Sequence, residues 1–289
     1  MLALQLTLTG LQAGALYALT AVGFSLIFGS TRVFHFAHGA TFALAAYLFY
    51  AVEAAGYGFV PGLLASFVGA VAFGLAIDWF IYRPIQRDEG SFFTVFVASF
   101  GIGIVVQNLI GIFFGRSFVT ITSPLSRARE VLEGVYVAPL AGIAFVAALI
   151  CLVALGFFLR TTFTGKGLRA LSDDPELVRV FGLSPRYLSA AAFAIGSALV
   201  VPAAVFTAMS SGLNPAIGHH VMLISLAATI VGGIGSIPGT MIAAFIFGLA
   251  ENLSLLWFEP QWSEAVVFAI LFAAIIARPS GLMGKSAAR

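Results

Sequence analysis

Long apolar stretches, each about one bilayer thick, alternate along this chain with short polar breaks. A helix needs about 20 mostly apolar residues to cross a membrane, and such stretches run over 5–28, 36–54, 59–82, 92–114, 139–159, 187–209, 221–232, 237–257 and 263–277. Eight or nine crossings are predicted, with 36–54 and 221–232 short enough to be partial or re-entrant. The first stretch has no basic leader and is too long for a signal-peptide core, so it is read as a retained span. Composition excludes the alternative of a soluble globule, because 61% hydrophobic and 9% charged residues leave too little polar surface to cover one. The pattern predicts an all-α polytopic membrane protein, a single transmembrane domain over residues 1–289.

One polar interruption is unlike the rest. Five of the fourteen basic residues fall between Arg160 and Arg186, and 165–182 is too polar for hydrocarbon yet rich in helix formers. Asp174 before Pro175 reads as an N-cap followed by proline at the first helical position, Glu176 suits the helix dipole, and Gly182 stands where a helix stops. Leu168, Leu171, Val178 and Phe181 mark an apolar stripe. A pair of short surface helices with one adhesive face is predicted over 160–186, suited to docking a partner.

Lys and Arg near span ends are held on the cytoplasmic side. Arg32, Arg83, Arg87, the 160–186 cluster, Arg278, Lys285 and Arg289 share one side if every stretch crosses, whereas 55–58, 210–220 and 258–262 carry no Lys or Arg. Arg116, Arg127 and Arg129, beside Glu130 and Glu133, are the exception. The N-terminus is therefore expected outside and the C-terminus in the cytoplasm. The single cysteine, Cys151, cannot form an intrachain disulfide, and no basic patch with interleaved aromatics suggests nucleic acid.

Broken spans point to a transport path, since irregular backbone at membrane depth must line a cavity or be buried in protein. Two breaks contain glycine, 29–39 with His35, Phe36, His38 and Gly39, and 232–239 with Gly232, Gly233, Gly235 and Ser236. Their placement between apolar helices in both halves looks like a divergent internal repeat, and these eight residues are the expected substrate pathway. His38 is read either as lining a polar route or as hydrogen-bonded to backbone, His35 as the latter. Neither His35/His38 nor His219/His220 has an acid or cysteine at ligand spacing, so no metal site is expected. Asp78, five residues before Arg83, is expected to cap or ion-pair, and Glu251 to hydrogen-bond between helices ahead of any proton-coupling role. Gly196-Ser197-Ala198 and Gly101-Ile102-Gly103 are expected at close helix contacts.

Five collinear segments carry a resemblance. Phe34-His35-Phe36-Ala37-His38-Gly39 resembles the I-N-F-A-H-G motif of the LivH-type permeases of branched-chain amino acid ABC importers. Tyr82-Arg83-Pro84-Ile85 is similar to that family's Y-R-P-L, Val231 to Gly239 to its L-G-G-x-G-S-x-x-G, and Arg278-Pro279-Ser280-Gly281-Leu282 to its R-P-x-G-L. Arg169, Ala170, Asp174, Glu176 and Gly182 fall on positions of its cytoplasmic coupling loop. The resemblance implies a permease subunit of a bacterial or archaeal inner membrane, with no catalytic centre and no cofactor of its own. Implied partners are a second homologous permease subunit, two cytoplasmic ATPases carrying ATP and Mg, and an extracytoplasmic substrate-binding protein, in surrounding lipid. Arg169, Ala170, Leu171, Asp174, Glu176, Val178, Phe181 and Gly182 would form the ATPase-coupling surface, with Leu171, Val178 and Phe181 supplying burial. His35 replaces the motif's asparagine with a titratable ring. Relatives of this type are associated with leucine, isoleucine and valine, and also with urea, short amides and aromatic acids. The alternative is a stand-alone secondary transporter or channel using Glu251 and the histidines. No G-x-x-x-x-G-K-[ST] phosphate loop occurs, so ATP hydrolysis would belong to another chain.

Overall fold

Small residues decide where the helices touch. The computed structural model describes residues 1–88, 90–121, 123–132 and 134–284; the expectations placed on Glu133, Lys285 and Arg289 lie outside them. Helix α1 (Leu2–Thr31) is the central post, and it lies against α11 (Ile237–Ser254) through Gly10, Gly14 and Gly248. A Cβ on Gly248 would overlap the backbone of Gly14, and one on Gly14 would come within 2.9 Å of Phe245 Cα. On another face α1 meets α9 (Pro185–Ser210), where Gly23 and Gly196 oppose one another. Lipid tails are as apolar as leucine, so between membrane helices it is this close backbone packing that holds, rather than exclusion of water. Gly196 thus fills its expected role. Gly101 and Gly103 do not, since nothing lies within 4 Å of a Cβ built on either.

Among the described residues seven helices are long and apolar enough to cross a membrane: α1, Phe59–Arg87, Phe92–Phe114, Pro139–Thr161, α9, α11 and Pro260–Ala277. Phe59–Arg87 comprises α3 (Phe59–Ile77), a π-helical turn at Asp78–Tyr82 and α4 (Arg83–Arg87). Phe92–Phe114 is α5, Pro139–Thr161 is α6, and the last span contains α12 (Ser263–Ala277). Two shorter helices complete the bundle, α2 (His38–Ala54) and α10 (Ile217–Gly232). At 1.5 Å per residue they are about 25 Å long, less than the ~30 Å hydrocarbon core, and they are the two stretches expected to be partial. Arg32, Arg83, Arg87, the 160–186 residues and Arg278 gather at one end, here called the basic end.

The opposite end carries a feature that sequence did not foresee. Between α5 and α6 a two-stranded hairpin forms, β1 (Arg129–Leu132) with β2 (Val135–Val137), antiparallel. Val135 is fully buried, and β2 rests on the first turns of α1. A single bridge, Val119 with Leu213, fastens this loop to the segment after α9.

At the basic end, α7 (Phe163–Asp173) and α8 (Pro175–Val180) form the expected pair of short helices. Asp174 Oδ1 accepts from the backbone N–H groups of Glu176 and Leu177 at 2.9 and 3.0 Å. Gly182, with φ +75°, closes α8: its N–H donates to Arg179 O and that of Leu183 to Val178 O. These are the two bonds of a Schellman cap.

Candidate functional site

Polar contacts fix how deep the chain re-enters after α1. From Arg32, held in the left-handed region at φ 57°, the backbone turns back along α1, and α2 starts where His38 Nε2 donates to Thr20 O at 3.0 Å. Thr20 lies about 16 Å before the end of α1. A second set of bonds holds the returning strand. The Tyr82 hydroxyl donates to Ser99 Oγ (2.8 Å) and so accepts from His35 Nδ1 (2.8 Å), while Ser99 Oγ also accepts from Ala37 N–H (2.8 Å). These bonds assign the histidine protons to Nδ1 of His35 and Nε2 of His38. Tyr82 reaches this position from the π-helical turn, a departure from regular helix often found where a side chain must be re-aimed. His35 and His38 are both fully buried among Tyr82, Phe193 and Phe24.

The same construction recurs upside down. After α9 the segment 211–216 enters from the hairpin end, and α10 begins at Ile217. His35-Phe36-Ala37-His38-Gly39 and Asn214-Pro215-Ala216-Ile217-Gly218 share only alanine and glycine, yet each makes the same turn. His38 N–H donates to His35 O at 3.0 Å, and Ile217 N–H to Asn214 O at 3.1 Å. Gly39 and Gly218 then face each other so closely that a Cβ on either would overlap the other's carbonyl oxygen. From this crossing α2 runs to the hairpin end and α10 to the basic end, as inverted broken helices of transporters do. Phe36 and Gly39 line a narrow cleft here with Gly103, Gln107, Gly218 and His219.

The expected pathway residues therefore divide. Phe36 and Gly39 stand at the crossing. His35 and His38 turn away from it and brace the re-entrant strand through one ring nitrogen each, while His35 Nε2 and His38 Nδ1 are buried without a hydrogen-bond partner. Gly232, Gly233, Gly235 and Ser236 lie elsewhere, in the elbow between α10 and α11 at the basic end. Segment 278–284 folds onto that elbow, with Leu282 N–H donating to Val231 O (2.7 Å) and Met283 N–H to Gly232 O (3.0 Å). A Cβ on Gly233 would strike Gly284. The counterpart of the first break is thus 211–218, not 232–239. No basic residue marks 211–218; its sequence signals were Gly212, the Asn214-Pro215 turn pair and the alanine-x-glycine spacing.

The coupling surface also changes. Leu171 and Val178 are buried in the chain's own core and fasten α7 and α8 to the bundle. Val180 and Phe181, 80% and 74% exposed, point outward with Phe163 and Leu177. Arg169 and Ser172 border a cleft of about 200 Å³ against Ser25, Ser30 and Gly235. Arg32 donates to Ser172 O at 3.2 Å, tying α7 to the end of α1. Ala170, Asp174, Glu176 and Gly182 are exposed. Asp78 makes its ion pair with Arg83 at 2.7 Å and accepts from Ser189 Oγ at 3.2 Å, and Arg83 reaches Arg186 O at 3.1 Å. Glu251 accepts from the Tyr17 hydroxyl at 2.8 Å, an α11-to-α1 link.

A bundle of membrane-spanning helices with two inverted short helices meeting inside it, and a capped pair of short helices at one end, is the architecture of a transport permease rather than of an enzyme. The match to the family described as "Branched-chain amino acid transport system / permease component" runs over residues 6–275, and the chain belongs to that family. It is 28% identical to the high-affinity branched-chain amino acid transport system permease protein LivH of Escherichia coli K12, over 98% of this chain and 96% of the relative. It is 29% identical to the corresponding BraD of Pseudomonas aeruginosa, over the same shares. Fructose import permease protein FrcC of Rhizobium meliloti is 26% identical over 46% of the chain. Among solved structures, PsaBC from Streptococcus pneumoniae in complex with Fab shares the fold, with TM-score 0.50 and 14% identity over 96% of this chain and 91% of that one. The protein is a multi-pass membrane permease component.

Proposed function

We propose that this chain is the membrane permease subunit of an ABC importer for branched-chain amino acids, with the basic end in the cytoplasm. The observation that carries the proposal is the α7–α8 loop: capped at both ends, fastened inward by Leu171 and Val178, and presenting Val180 and Phe181 outward. A self-sufficient carrier has no use for such a surface, whereas exposed apolar side chains ringed by charge fit a protein partner. Two ATPases would dock there, one on this chain and one on a second permease subunit, and nucleotide-driven closure would act through the contact. An extracytoplasmic binding protein would deliver the solute to the hairpin end. Relatives that carry branched-chain amino acids in their names support the substrate class.

Mild-detergent purification of the chain from its own membrane, with mass spectrometry of what accompanies it, tests the proposal. Two ATPases and a second permease are expected, and Phe181→Asp should cut ATPase recovery at least tenfold without lowering the amount of permease. A chain that purifies alone and moves solute in liposomes would overturn it in favour of a secondary carrier.

A further inference from the structure

The cleft of about 200 Å³ at the basic end lies between α7 and the bundle. One wall is the last turns of α1, with Ser25 and Ser30; Arg169 and Ser172 of α7 face it, and the elbow before α11 closes a third side with Gly235 and Ile237. Leu26, Leu159 and Leu168 make the rest of the lining apolar. The volume falls below the ~300 Å³ at which drug-sized ligand sites begin, but it has room for one compact polar group.

Unused donors surround that space. Ser30 is 4% exposed, and its hydroxyl bonds to nothing among the described residues, a costly state for a polar group buried at the end of a membrane helix. The Ser172 hydroxyl is likewise unbonded there, although its carbonyl oxygen accepts from Arg32 at 3.2 Å. Ser25 Oγ accepts from Thr240 Oγ1 at 3.2 Å, which leaves its own proton for the cleft. The N–H groups of Gly235 and Ile237 have no acceptor among the described residues. Within the same set the Arg169 guanidinium makes neither a hydrogen bond nor an ion pair. Asp173 also borders the cleft, and it already has a partner in the protein. Two guanidinium groups, Arg169 and the nearby Arg32, together with the positive end of the α11 dipole, outweigh that one carboxylate.

From these donors we infer that the cleft is a binding site for a phosphate group, held between α7 and the bundle. Hydroxyls, amides and a guanidinium arriving from three sides suit a tetrahedral oxyanion, whose acceptors point in several directions, better than a planar carboxylate. Arg169 supplies the charge-assisted bond, and the first turn of α11 supplies amides and dipole. Basic pockets between membrane helices on the cytoplasmic side take anionic headgroups, and the leucines of the lining would meet the glycerol carbons of a phospholipid; free phosphate offers the same oxygens without them. Once bound, the group bridges Arg169 and Ser172 on α7 to Ser30 on α1, so it stiffens the mounting of the α7–α8 pair. The site goes beyond the importer proposal and needs neither its ATPases nor its solute.

Amide exchange over residues 163–173 tests the inference, read on the full chain purified in a neutral detergent with whatever subunits accompany it. The additions are chloride, inorganic phosphate, dihexanoyl-phosphatidylglycerol and dihexanoyl-phosphatidylcholine, at millimolar concentration and equal ionic strength. Inorganic phosphate, phosphatidylglycerol or both should slow exchange at least fivefold relative to chloride, and phosphatidylcholine less than twofold. Protection by phosphatidylglycerol alone assigns the group to a lipid headgroup, whereas protection by inorganic phosphate assigns it to the solution. Ser30→Ala, which deletes an unbonded hydroxyl, and Arg169→Gln should each remove most of the protection; if Arg169→Gln accumulates poorly, Ser30→Ala carries the comparison. Exchange unchanged by every addition, equal protection by phosphatidylcholine, or full protection in the variants would overturn the inference. Recovery of ATPases plays no part in this readout, so either proposal can fail while the other stands.

Discussion

Gly39 and Gly218 set one of the close backbone approaches in the bundle, and the absence of a side chain is their contribution. Alanine at either position places a methyl group against a backbone carbonyl, which cannot swing aside as a side chain would. Overpacking of this kind costs about 1–3 kcal/mol. Gly39→Ala should therefore lower the thermal midpoint in detergent by several degrees and reduce uptake, whereas Gly101→Ala, with open space around it, should leave both close to wild type. Equal behaviour of the two variants would mean that the crossing is looser than described. The His35–Tyr82 bond invites a double-mutant cycle. Tyr82→Phe and His35→Leu each strand a buried partner, at about 1–3 kcal/mol, but both remove the same bond, so the double variant should cost less than their sum by about 1 kcal/mol. Additive losses would show that the two side chains act separately. The sequence made His35 conspicuous as a departure from an asparagine motif, yet chemistry alone could not say which way the ring turned. Its partner Tyr82 is 47 positions away and reaches it only because a π-helical turn rotates the end of α3.

At the scale of elements, what was legible followed from rules local in sequence. Caps act over three or four residues, so Asp174, Pro175 and Gly182 declared the ends of α8, and the structure has them in those roles. Gly182→Ala would force an L-residue to φ near +75° with no steric neighbour to blame, a loss of roughly 1 kcal/mol. Faster amide exchange over 175–183, with little change elsewhere, is the expected signature; unchanged exchange would show that packing by Val178 suffices. Which face of the loop is buried was less legible. Leu171 and Val178 share an apolar stripe with Phe181, and a stripe does not reveal whether it meets its own bundle or a partner. The two short helices were legible through length, since neither 36–54 nor 221–232 fills a bilayer. Their pairing was not, because Gly39 meets Gly218 across 179 positions with only alanine and glycine in common between the two turns.

For the whole molecule, the seven long spans were readable because the membrane imposes length and apolarity on each one independently of its neighbours. The hairpin escaped notice for the opposite reason. Short polar stretches such as 115–138 obey no such demand, and Val135 is buried only because α1 happens to lie beneath it. A domain built this way is layered by depth, with the hairpin at one end, the glycine crossing at mid-depth and the α7–α8 pair at the far end. The meeting of two helix N-termini at that crossing also bears on electrical leak. Each carries roughly half a positive charge, and in an energised membrane every 100 mV drives a monovalent cation inward with about 2.3 kcal/mol. Two positive poles set close together oppose protons and alkali ions, as paired half-helices do in water pores, while a solute without net charge meets the same field at little cost. By this electrostatic argument the glycine crossing disfavours cations far more than it does a solute without net charge.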